Sequence, residues 1–83
     1  MINKNILSSI FDNYDIHSVK LVQDNNILNF IISQMPSSIS LERWDYLENI
    51  LKDVTGKTVN ILPYNQAIKC FSEKLINEGL VIK

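Results

Sequence analysis

His17 is the only histidine and Cys70 the only cysteine in this chain. Those two side chains, with the acidic residues, bound the chemistry available. A histidine base or ligand needs converging partners, and no Asp, Cys or second His stands at a spacing that recruits His17, which is read as a surface or structural residue. Cys70 lies between Lys69 and Phe71 in a helical stripe and reads as a small buried or half-buried hydrophobe. One cysteine allows neither an internal disulfide nor a thiolate metal cluster. Glu42, Asp45 and Glu48 follow i,i+3 spacing on one helix and supply a conceivable cation site. Hard cations want more oxygens than one helix offers, and acidic residues near a helix start are stabilised by its dipole, so a solvated face is the better reading. Trp44, Tyr46 and Tyr64 are large aromatics with a polar handle. Trp44 falls on an apolar stripe, while Tyr46 and Tyr64 are candidate interface anchors. No catalytic residue, metal ligand or cofactor site is expected.

The elements that would position these groups follow from periodicity. Residues 3–13 carry Ile6, Leu7, Ile10 and Phe11 at helical spacing. Two alternating stretches follow, Ile16–Val22 and Ile27–Ser33, separated by Asp24, Asn25 and Asn26, which tolerate a tight turn. A turn centred on Asp24-Asn25 predicts Val19 opposite Phe30 and Leu21 opposite Leu28. Gln34–Ile39, with Pro36, reads as a loop. Ser40 is a good N-cap for a second helix, with Ile39 and Trp44 spaced as a hydrophobic staple. Its stripe is Leu41, Trp44, Leu47, Leu51 and Val54, Glu48 and Lys52 form an i,i+4 pair, and Gly56 stops it. Thr58–Leu62 is a third strand ended by Pro63. Asn65 caps a third helix carrying Ile68, Phe71, Leu75 and Ile76, Gly79 stops it, and Leu80–Ile82 is a last short strand. The expected fold is a single α+β domain over residues 1–83, order α-β-β-α-β-α-β. Its four-stranded sheet is mixed or antiparallel, with helices mainly on one face. The expected core is Ile6, Ile10, Val19, Leu21, Leu28, Phe30, Ile32, Trp44, Leu47, Leu51, Val59, Ile61, Ile68, Phe71 and Leu75.

With 83 residues, 46% apolar and 20% charged, the chain is globular in composition, and its formal charge is −1. Its basic residues are scattered, which argues against nucleic acid. No apolar run spans a bilayer and no secretory leader is seen, so a cytoplasmic location is expected. Abundant Ile and Asn, with a single Ala67 and a single Arg43, fit an AT-rich bacterial or phage source.

If Val19, Leu21, Leu28 and Phe30 face the core, period 2 sends Lys20, Val22, Ile27, Asn29 and Ile31 to the other face. Asn60 and Leu62 join them from the third strand. That face is apolar, with Lys20 its only charge, like the middle of a protein interface. Either the first helix or the loop around Met35 and Pro36 covers it, or it meets a protein partner or a second copy. The second reading is followed here, and makes the domain a non-enzymatic interaction or regulatory module.

The stretch from Leu41 to Lys83 resembles the C-terminal half of minimal nucleotidyltransferase domains. The similar pieces run from Leu47 through Glu48-Asn49-Ile50 and the Gly56-Lys57-Thr58-Val59 junction to Leu62, then Ile76-Asn77-Glu78-Gly79-Leu80-Val81-Ile82. In that family a helix ends at Gly, a strand leads into a second helix, and an E-G-x-x-I strand closes the unit. The family also has a Gly-Ser phosphate-binding turn and an Asp-x-Asp metal pair. Here Val22 passes through Asp24-Asn25-Asn26 directly into Ile27, and Ile27 and Asn29 stand where the carboxylates would fall. The resemblance therefore implies a catalytically inactive relative. It keeps a nucleotide- or nucleic-acid-binding domain as the alternative function. The hairpin–helix–strand order is also similar to small KH-like domains, such as the N-terminal interaction domain of bacterial replication initiators. The G-x-x-G loop of nucleic-acid-binding members is absent, because the only glycines are Gly56 and Gly79.

Overall fold

A computed structural model describes residues 3–34 and 39–83. The expected loop at Pro36 therefore lies outside the described residues. Helix α1 is Lys4–Asp12, strand β1 Val19–Asp24, strand β2 Ile27–Ile32 and helix α2 Leu41–Thr55. Strand β3 is Thr58–Pro63, helices α3 and α4 are Tyr64–Cys70 and Glu73–Asn77, and strand β4 is Leu80–Val81. The fold class is α+β, as expected. The four-stranded sheet runs in the order β3-β2-β1-β4 and is mixed: β2 is parallel to β3, and β1 is antiparallel to both β2 and β4.

The hairpin turn is Asn25-Asn26, both with positive φ (49° and 67°), the backbone that the tightest two-residue hairpin loop requires. Asp24 is thereby a strand residue opposite Ile27, and Leu21 meets Phe30 while Val19 meets Ile32. The expected pairing of Val19 with Phe30 is off by an even number of positions. An even displacement keeps every side chain on its face, so the expected core side of the hairpin stands.

The caps of α2 follow the sequence. Ser40 Oγ accepts from the Arg43 amide at 3.2 Å, and Gly56 closes the helix at φ 67°, its amide donating to Lys52 O. Lys52 and Glu48 pair at 3.8 Å. Arg43 also donates to Asn13 O at 3.3 Å and sits 5.0 Å from the Tyr14 ring centroid, joining the start of α2 to the end of α1.

The expected third helix is two helices. Phe71 is extended (φ −131°, ψ 151°) and Ser72 caps a new start, its Oγ accepting from the Leu75 amide at 3.2 Å. Asn65 is not a cap, because α3 begins one residue earlier, after Pro63. The break turns Phe71 and Ile76 toward the sheet and leaves Ile68 and Leu75 exposed, against expectation.

Two clusters flank the sheet. On one side Leu7 and Phe11 of α1, Ile16, and Leu47 and Leu51 of α2 pack on Val19, Leu21, Leu28, Phe30, Ile32, Val59 and Ile61. Ile10, Tyr14 and Trp44 are half-buried at its margin, and Ile82 completes it. Ile6, expected inside, is exposed, because the buried i,i+4 pair of α1 is Leu7 and Phe11. On the other side Ala67 of α3 and Ile76 of α4 cover Val22 and Ile31, with Leu62 and Phe71 beside them. Helices thus lie on both faces of the sheet, not mainly on one.

Candidate functional site

The face expected to meet a partner is occupied from within the chain. Val22 and Ile31 lie under α3 and α4, and Asn29 is only 4% exposed. Lys20, Ile27 and Leu62 are half-buried, and only Asn60 of the proposed set is exposed. The contact surface drawn through Lys20, Val22, Ile27, Asn29, Ile31, Asn60 and Leu62 is therefore corrected: its centre is core. Its cover is the pair of short helices, not the first helix, while the loop at Met35 lies outside the described residues. Gly79 permits the close fit at the end of α4. A Cβ there would lie 3.0 Å from both Ile76 O and Leu21 O, and 3.3 Å from the Val22 side chain.

Asn29 is a buried polar side chain on β2. Its Nδ2 donates to Val22 O at 3.2 Å across the hairpin, and its Oδ1 accepts from Asn60 Nδ2 at 3.2 Å. The amide links β1, β2 and β3, satisfied at both ends. A carboxylate would keep the acceptor role toward Asn60 but set a negative charge against the Val22 carbonyl. Asn29→Asp is expected to destabilise the fold by about 1–3 kcal/mol at pH 7. Burial beside a carbonyl raises the folded-state pKa of the new carboxyl above its unfolded value of about 4. The variant should then approach normal stability below that value and lose it as pH rises through the folded pKa. Urea titrations at pH 4 and pH 7 measure this, and an equal loss at both would reject the assigned environment of Asn29.

The other candidates do not converge. His17 is exposed, with Nδ1 3.9 Å from Asp12 Oδ1, and Asp12 is also paired with Lys83. Cys70, expected to be buried or half-buried, is exposed on α3. Glu42 and Asp45 point to solvent while Glu48 is engaged with Lys52. Among the described residues no group of three His, Cys, Asp or Glu side chains could hold a metal ion. No helix among them is long and apolar enough to cross a membrane.

The described residues line two concavities of note. One lies between the start of α1 and the end of α2, lined by Asn3, Ile6, Leu7, Gln23, Val54, Thr55 and Lys57. Its hydroxyl is already used: Thr55 Oγ1 donates to Leu51 O at 2.7 Å and accepts from the Lys57 amide at 3.3 Å. The other is a groove of about 310 Å³ at the end of β3, between the first turns of α2 and α3. Ile39, Leu41, Trp44, Ile61 and Pro63 form its apolar wall, Ser40 and Gln66 its polar rim, and among the described residues no charged one lines it. Leu41 beside it is 84% exposed, more than any other large apolar side chain among the described residues.

No family model, curated protein or solved structure matches the chain. Its chemistry is therefore to be read from this geometry. Sequence reasoning placed Leu41 and Trp44 on one apolar stripe, assigned Trp44 to the domain's own core and gave Leu41 no role of its own. The missed signal is that Leu41 lies in the first turn, at the helix end farthest from the buried Leu47 and Leu51. Tyr64, singled out as a possible anchor, opens α3 and is partly exposed, whereas Tyr46 is exposed on α2.

Proposed function

We propose that this protein is a non-enzymatic interaction module that receives an apolar segment of a partner protein in the groove beside Leu41. The observation that carries this reading is Leu41 itself. A leucine left in solvent next to the half-buried Trp44, with Ile61 and Pro63 forming an uncharged hollow, has the composition of an interface centre. Burying one leucine and part of one tryptophan contributes several kcal/mol of association, the scale of an energetic hot spot.

Leu41→Asp tests it. The position is solvated, so stability should change by no more than about 0.5 kcal/mol. Circular dichroism should be unchanged. The purified wild-type and variant proteins are compared for self-association by light scattering, and for binding to candidate partners encoded by adjacent genes by calorimetry. Association present in the wild type and at least tenfold weaker in the folded variant supports the groove. Equal association in both removes it.

The resemblance to minimal nucleotidyltransferase domains bears on descent. In its support, the order from α2 to β4 runs helix, Gly56, strand, helices and closing strand. Asn29 stands as a buried, hydrogen-bonded amide where that family would hold metal, so a relative of this kind would be inactive. With Mg²⁺ or Mn²⁺, labelled nucleoside triphosphates and acceptor proteins, no transfer of label is expected. Transfer abolished by replacing one acidic residue would restore an enzyme. Nucleotide or nucleic-acid binding stays the alternative function, and direct titration with both distinguishes it from the groove reading.

A further inference from the structure

We draw no further inference here: the strongest candidate, the cleft between the start of α1 and the end of α2 lined by Asn3, Ile6, Gln23, Val54, Thr55 and Lys57, offers a single cation and, among the described residues, no buried side-chain polar atom without a partner, so nothing in the structure points to the ligand it would take.

Discussion

Replacing Phe30 with alanine is expected to lower the unfolding free energy by about 3–5 kcal/mol, the range for truncating a buried aromatic. Phe30 is fully buried near the middle of β2, between Leu21 of β1 and Ile61 of β3 in the pairing register. Its ring meets that of Phe11 at a centroid distance of 5.4 Å and an interplanar angle of 56°, a tilted arrangement that aromatic pairs favour. The contact joins the first helix to the centre of the sheet, so truncation loosens α1 as well as leaving a cavity. A domain of this size has a stability near the lower end of about 5–15 kcal/mol, so the variant should keep only about 0–2 kcal/mol at room temperature. Urea denaturation followed by circular dichroism measures the loss. A change below about 1 kcal/mol would mean that the helices α1 and α2 do not pack on this face.

The reach of the sequence can be traced through particular residues. The faces of the hairpin were legible because alternation has period 2, and moving the turn to Asn25-Asn26 displaced the register by an even count. The caps of α2 were legible because Ser40 and Gly56 act locally. The break after α3 was obscured by a spacing coincidence: Ile68, Phe71 and Leu75 fall at helical intervals although the chain is extended at Phe71. Ser72 followed by Glu73 carried the competing signal, since serine favours a cap and an acid favours the first turn. That cap sets Ile76 toward the sheet and leaves Leu75 outside.

The misreading of the second sheet face came from treating β2 as half-buried. Its run Phe30-Ile31-Ile32 is continuously apolar, the pattern of a strand covered on both sides, as the parallel β2–β3 pair with an intervening helix requires. The groove at Leu41 was illegible for another reason. A stripe identifies the apolar side of a helix but not how much of its length has an element of the same chain beneath it. In α2 the fully buried positions are Leu47 and Leu51, while Leu41 at one end and Val54 at the other are exposed.

Ile31→Lys should leave little folded monomer. Ile31 is the sequence neighbour of Phe30 and points to the opposite side of the same strand, into the cluster of Val22, Ala67 and Ile76. Three effects add. The lysine ammonium enters an apolar layer, where an unpaired charge is strongly disfavoured. Its stem must thread between β2 and the helices, although Ala67 and Ile76 are packed against that face with almost no exposure. The residue directly across the hairpin is Lys20, so escape toward that edge places two like charges in a cross-strand pair. Together these exceed about 4 kcal/mol, a size reserved for buried charges and large cavities. Ile31→Val, which removes one methylene from the same place, should lose only about 0.5–1.5 kcal/mol and stay folded. Thermal and urea unfolding of the two variants decide whether α3 and α4 seal this face. A folded Ile31→Lys monomer with near wild-type stability would mean that the two short helices leave the sheet open. The face through Val22 and Ile31 would then regain its claim as the contact surface. A collapse confined to the lysine variant fixes this face as core, sealed by α3 and α4.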